Sequence, residues 1–325
     1  MKRRSVVAGL GTVAAWPLAA GAQQTKKTPI IGFLHPGLKA LGSWTMDALR
    51  RDMGVAGLID GQTVRVEERW GNSEPGRVLT LAKELVALDP VVIIAVARPS
   101  LEALRSLGVT VPIVGNDLEN DPVAAGYAAS LSRPGGNVTG LFLDAPAICG
   151  KWLQQITEVI PNLQRLAVLW DAGTGVYQRD ALLAAAKKFS LDVKVIEFRG
   201  GGPIESAVEA GVTPDIQALV QLGSPLMNQS GGKIAAVTAR HRLPSISPFR
   251  SFPDGGGLMS YGVDLLQMYR RLVPFVVKVL NGARPGDLPI EQPVNFELVI
   301  NLKTAKSLSI TIPQSLLAAA SEVIE

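Results

Sequence analysis

Val91-Val92-Ile93-Ile94-Ala95-Val96 is the stretch on which the fold turns. A continuous apolar run of this kind is what a central parallel strand requires, because helices cover both of its faces. The neighbouring segments continue the theme. Val78 to Leu88 reads as a helix with Leu81, Ala82, Leu85 and Val86 on one face, and Thr63 to Trp70 alternates like an edge strand. Pro29-Ile30-Ile31-Gly32-Phe33-Leu34 reads as a first buried strand, followed by a helix whose inner face is expected to hold Trp44, Leu49 and Met53. On the other side, Pro112-Ile113-Val114 and Val138 to Leu143 read as strands, with a helix expected between them from about Asp121 to Leu131.

The alternation then starts again. Arg165 to Trp170, Asp192 to Phe198, Ile216 to Leu222 and Pro244 to Ser247 read as strands, and Arg179 to Phe189, Ile204 to Ala210 and Lys233 to His241 as helices. Two βαβ series of this sort form two parallel sheets with helices on both faces, an α/β chain of two similar lobes with a break near Leu143–Gly150. A long helix after Tyr261 runs to about Leu280, followed by the Pro- and Gly-rich stretch from Gly282 to Pro293. The terminal portion is expected to cross back between the lobes. The expected N-terminal lobe is 28–142 plus about 262–285, and the C-terminal lobe 143–261 plus about 286–325.

Residues 1–22 read as an export signal. Lys2, Arg3 and Arg4 precede an uncharged, largely apolar run to Leu18, and Ala20-Gly21-Ala22 offers the small-x-small pattern of a cleavage site. The run is too short for a membrane span and Pro17 interrupts it. Arg3-Arg4 ahead of Ser5-Val6-Val7 suits the twin-arginine route as well as general secretion. The only cysteine, Cys149, stands far from the cleavage site, so neither a lipid anchor nor an internal disulfide is expected. A periplasmic product follows. Removing the signal also removes three cations from 32, leaving 29 basic against 28 acidic residues, and the apparent basicity disappears. Nucleic acid and membrane surfaces lose their support as partners. Gly9-Leu-Gly11-Thr-Val-Ala14, which mimics a dinucleotide fingerprint, leaves with the signal. Roughly 300 remaining residues suit two domains of ordinary size.

In such sheets ligands bind beyond the C-terminal strand ends, and two facing sheets make a cleft there. The loops that reach it hold His35-Pro36, Arg98 and Ser100, Asn116-Asp117, Asp171, Ser224 and Tyr261. A small polar or zwitterionic ligand suits them. Helix N-termini helped by Ser100 or Ser224 can hold a carboxylate, Asp117, Asp121 or Asp171 an ammonium, and Phe249 or Tyr261 an apolar portion. Ser100, Ser224 and Asp121 read equally as helix N-caps, and Tyr261 as core. Catalytic equipment is sparse. There is no G-x-S-x-G elbow, no H-E-x-x-H and no cysteine cluster, so neither a metal nor a cofactor is expected. His35 is the one appealing base for a hydrolase reading, while His241 ends a helix. Cys149 reads as a small buried residue, and Glu67-Glu68 point to opposite faces of a strand.

Several blocks together resemble one family. They are Asp121-Pro122-Val123, the run Ser130-Leu131-Ser132-Arg133-Pro134-Gly135-Gly136-Asn137-Val138-Thr139-Gly140, and Arg242-Leu243-Pro244. Gly256 to Gly262, Pro285-Gly286-Asp287-Leu288-Pro289 and Phe296 to Ala305 complete the set. From about Ile30 to Glu325 the chain resembles the substrate-binding proteins of ABC transporters, in the group with tryptophan- and tyrosine-binding members. The resemblance implies a type I periplasmic-binding-protein fold, with two Rossmann-like lobes joined by a three-crossover hinge. It implies hinge closure on a small ligand, an amino acid or a related compound that is aromatic in some members. It further implies a monomer that delivers this ligand to an ABC permease driven by a separate ATPase; an exported sensor or chemoreceptor adaptor is the neighbouring alternative. The Arg133 to Gly140 block is expected to serve the fold. Three departures bear on specificity. Ala97-Arg98-Pro99-Ser100 stands where relatives commonly have a Gly-Thr-Pro-Ala type loop, Asp171 where they often have Asn, and Gly223-Ser224-Pro225 where an acidic-Pro pair is usual.

Overall fold

A computed structural model of the chain describes residues 28–74, 76–200 and 202–325. The expected export signal at 1–22 and the Gly9–Ala14 fingerprint mimic lie outside the described residues.

The first sheet has five parallel strands, β1 (Ile30–His35), β2 (Arg65–Trp70), β3 (Val92–Val96), β4 (Ile113–Asp117) and β5 (Val138–Phe142), in the order β2-β1-β3-β4-β5. Helices α1 (Lys39–Val55), α2 (Arg77–Val86) and α3 (Ala97–Ser106) connect them. The central run is as apolar as its place demands, since β3 is buried at every position. In α1, Met46, Leu49 and Met53 face the core, but Trp44 is 38 % exposed. The expectation that Trp44 packs inward is therefore corrected: it leans toward the second lobe. The helix expected from Asp121 to Leu131 is also absent. Asp121 accepts from the N–H groups of Val123 and Ala124, and Gly126 at φ +75 stops the chain after one turn.

The second sheet has seven strands in the order β12-β11-β10-β9-β8-β6-β7. They are β6 (Arg165–Asp171), β7 (Asp192–Phe198), β8 (Ala218–Gln221), β9 (Ser245–Ser247), β10 (Met259–Val263), β11 (Phe296–Asn301) and β12 (Glu322–Ile324). Its helices are α4 (Ala145–Val159), α5 (Tyr177–Lys188), α6 (Ile204–Gly211), α7 (Pro225–Gln229), α8 (Gly231–Arg240) and α9 (Ser251–Asp254). Helix α10 (Leu265–Leu280) follows β10, and α11 (Leu302–Ser307) and α12 (Gln314–Ala319) end the chain. The segment β7-β6-β8-β9-β10 repeats the order of the first sheet, so the two lobes share one winding. The added strands β11 and β12 depart, since β11 runs antiparallel to β10 and β12 runs parallel to β11.

The chain passes between the sheets at Phe142–Ala145, at Val263–Leu265 and again before Phe296. Helix α10, reached by the second passage, packs on β3, β4, β5 and α1 of the first sheet. The third passage runs beside β5 and makes a parallel bridge between Leu141 and Glu291. Two of the sequence blocks meet here. Gly135 N–H donates to the Gly286 carbonyl, Ile290 N–H to that of Leu131, and Thr139 Oγ1 to that of Leu288 at 2.9 Å. Asn137 Nδ2 holds the carbonyls of Val109 and Val111, each at 2.9 Å. Gly140, at φ +129, brings β5 so close to β4 that a Cβ on it would lie 2.0 Å from the Gly115 carbonyl oxygen. No side chain fits there.

Trp152 anchors the second core and donates to the Tyr261 carbonyl at 2.6 Å. Cys149 is fully buried and burial pushes its thiol up to about 12, so it is held as a neutral thiol. Among the described residues no helix is long and apolar enough to cross a membrane.

Candidate functional site

In a sheet ordered 2-1-3-4-5 the crevice opens between the first and third strands, where successive connections leave in opposite directions. Here that point lies between His35 at the end of β1 and Ala97 at the end of β3. Its counterpart in the second lobe lies between Asp171 on β6 and the turn after β8. The two points face each other across the cleft.

Among the described residues, two spaces between the lobes adjoin these strand ends. The inner one, about 40 Å³, is walled on one side by His35, Asn116 and Glu119 and by Trp44 and Thr45 of α1. Asn228, Gln229 and Phe249 close it from the second lobe, and Leu265 and Tyr269 of α10 form its back. The outer groove, about 550 Å³, runs past Pro36, Glu74, Pro99 and Glu102 on one lobe and Asp171, Thr174 and Arg199 on the other.

Of the residues singled out from sequence, His35 and Phe249 line the inner cavity, and Pro36 and Asp171 the outer groove. The other six line neither space. Ser100 is fully buried and donates to the Leu34 carbonyl, so it is not an N-cap. Ser224 caps α7 by accepting from Met227 N–H at 3.0 Å. Asp121 closes its own exposed turn, and Tyr261 stacks on Phe296 at 5.7 Å. Asp117 is fully buried behind the wall, where it holds Glu119 N–H and Asn120 Nδ2, each at 2.8 Å. Arg98 donates to Asn120 Oδ1 and reaches across to Gly175, where an added Cβ would meet its Nη1 at 1.8 Å.

Sequence reasoning missed Glu119, Trp44, Asn228, Gln229 and Tyr269. Asn116 lies in a loop that the sequence does mark, one position before Asp117. Glu119 follows a strand end by two residues, a spacing that marks a loop and nothing more. Its side chain is drawn in because Asp117 fixes the backbone beneath it.

The chemistry of the inner cavity is distinctive. His35 Nδ1 accepts from Gly37 N–H at 2.9 Å, which leaves the imidazole proton on Nε2 as a donor. Burial lowers its pKa to about 3, so the ring stays neutral. Asn116 is 4 % exposed, and its Oδ1 has no hydrogen-bond partner among the described residues. Glu119 is 2 % exposed and Asp117 fully buried, and their carboxyls share a hydrogen bond. Desolvation, joined by the charge of Asp117, raises the Glu119 pKa well above the carboxylate range; desolvation raises Asp117 as well. Trp44 and Tyr269 meet edge to face at 5.8 Å, and Phe249 completes an aromatic lining. Ala97 holds φ +60, a left-handed conformation costing a non-glycine residue about 1 kcal/mol, at the point where the backbone turns into the cleft.

The lobes touch around this cavity. Gln229 of α7 accepts from Leu38 N–H at 2.9 Å and donates back to the Leu38 carbonyl at 3.1 Å. Gln178 of α5 bonds the Leu118 carbonyl. These bonds join the two lobes over the cavity, as hinge closure requires.

Comparison with known proteins gives a consistent picture. The family model described as ABC transporter substrate binding protein matches residues 27–324. A tyrosine-binding protein of Clostridioides difficile is 24% identical over 280 residues, spanning 84% of this chain and 78% of the relative. The structure of a Streptococcus pneumoniae ABC domain in complex with L-Trp superposes with a TM-score of 0.82 at 25% identity, covering 91% of this chain and 100% of that one. A conserved domain protein of Vibrio cholerae reaches a TM-score of 0.84 at 24% identity over the same shares.

Proposed function

Since the chain belongs to the ABC transporter substrate-binding protein family, we propose that it captures an aromatic amino acid in its inner cavity and delivers it to a permease. The observation that carries this reading is the company Trp44, Tyr269 and Phe249 keep with Asn116, Glu119 and His35 in one space between the lobes. Rings bury the side chain; acceptors and donors hold the two charged ends. Glu119 and the free Asn116 Oδ1 suit an ammonium. His35 Nε2–H and Asn228 suit a carboxylate. At about 40 Å³ the space is tighter than the usual small-molecule site of roughly 300–1,000 Å³, so the lobes must part to admit the ligand.

Touching both lobes, the ligand favours the closed form that Gln229 and Leu38 hold together. A protein acting as 28–142 plus 262–285 against 143–261 plus 286–325 needs only the three passages to bend. Work outside the cytoplasm, delivered there by the signal at 1–22, as a monomer and without catalysis, suits this role. The tyrosine-binding and L-Trp-bound relatives support an aromatic amino acid as the ligand. A thermal-melting screen of the chain without its signal tests the reading. L-tryptophan or L-tyrosine at a hundredfold excess over Kd is expected to stabilise it by about 2.7 kcal/mol, with the ligand recovered unchanged. A melting curve moved only by sugars or organic acids contradicts it.

A further inference from the structure

Two buried carboxyls beside an empty acceptor make an unusual wall for a ligand cavity. Like-charged carboxylates in hydrogen-bond contact do not both ionise readily, and one proton bridges them. Asp117 has other partners for its negative form, since it accepts from Glu119 N–H and Asn120 Nδ2. Glu119 has less, a backbone N–H of Arg98 at 3.4 Å. The proton therefore sits with Glu119, on the cavity side. Beside it, Asn116 gives its amide to the Tyr269 phenol and leaves Oδ1 unpartnered although the residue is 4 % exposed. A buried acceptor without a donor is costly and points to a group that supplies one.

Resting on the substrate-binding reading above, we propose that the ligand presents an ammonium group to Asn116 Oδ1 and Glu119, and that this cation replaces the proton shared by Asp117 and Glu119. Capture then releases a proton to solvent, and the ligand keeps its own. The other charges around the pair leave room for this exchange. His35, from β1, is neutral and holds its proton on Nε2. Tyr269, from α10, stays a phenol because burial raises its pKa. Asp171 faces the pair from the second lobe and adds negative charge, while the Arg98 guanidinium from α3 is turned to Asn120. Tyr127 faces Asp117 and donates to Glu102 at 2.7 Å, so it too is fixed as a phenol. The rings of Trp44 and Phe249 complete a setting that stabilises a cation.

Isothermal calorimetry of the full chain with L-tryptophan and L-tyrosine, each in phosphate and in MES at one pH, reads the released proton as a difference in apparent enthalpy. The expected result is release approaching one proton per ligand at about pH 6, with affinity falling about tenfold per pH unit below it. Tryptamine, which keeps the ammonium, releases the same proton. Glu119→Gln abolishes the buffer dependence and weakens L-tryptophan at least tenfold; the wild-type buffer comparison stands whether or not that variant folds. Binding of either amino acid with equal enthalpy in both buffers and a flat pH profile overturns the proposal and leaves the transport reading intact. Silence of both amino acids and of tryptamine, with melting shifted by a sugar, overturns the amino-acid reading and this proposal with it.

Discussion

At His35 the residue that sequence marks as a possible base is a neutral imidazole in the cavity wall. The residue is 4 % exposed, its ring lies tilted against Trp70 at 4.5 Å, and its Nδ1 lone pair accepts from Gly37 N–H. With a folded pKa of about 3 against 6.5 unfolded, the unfolded state takes up the proton first as pH falls. Its stabilising contribution is present above the unfolded value and lost progressively toward the folded one. Urea titrations at pH 7 and pH 5 should show wild type losing about 2 kcal/mol more than His35→Phe does over that interval. Equal losses in the two proteins would contradict the burial argument. The Asp117–Glu119 pair acts in the other direction. Both pKa values are raised by burial, so their stability is present at low pH and lost as pH rises through the folded values. Sequence exposes the cavity unevenly at this scale. His35 and Phe249 sit where strand ends are readable from apolar runs. Glu119 and the empty Oδ1 of Asn116 are not readable, because their character comes from the partners that folding brings near.

At the scale of elements the strands were the most legible part, since a buried parallel strand writes its apolar run into the chain. β1, β3, β6 and β7 fall within a residue or two of their expected spans. Helices read from periodicity fail where a local interaction outranks it. The stretch after Asp121 has helical composition, yet the Asp121 side chain and Gly126 turn it into a knot of turns. Trp44 lies on a helix whose apolar stripe is real, but the stripe extends past the core to a second surface, the cleft. The Ser130 to Gly140 block has a physical reason for its composition. Asn137 fastens a loop, Thr139 ties the third passage, and Gly140 lets β5 approach β4. Gly140→Ala has neither the space nor the backbone freedom, and denaturant midpoints should show a loss of about 3 kcal/mol or more. A loss under about 1 kcal/mol would mean that β4 and β5 part easily.

The whole molecule is two copies of one winding, with a cavity where their switch points face each other. That arrangement was foreseeable from two βαβ series and a resemblance spanning most of the chain. Which residues of each lobe meet was not, because contacts such as Gln229 with Leu38 join positions 191 residues apart. On the proposed reading, function at this scale is closure, and its core is the claim that an amino acid lies between the lobes against Asn116, Glu119 and Trp44. A crystal structure of the protein grown with L-tryptophan tests that claim most directly. The account predicts the ligand in the inner cavity, its ammonium within hydrogen-bond distance of Asn116 Oδ1 and Glu119 and its ring against Trp44 and Tyr269. Ligand bound in the outer groove beside Asp171 and Arg199, with the inner cavity left to water, would contradict it.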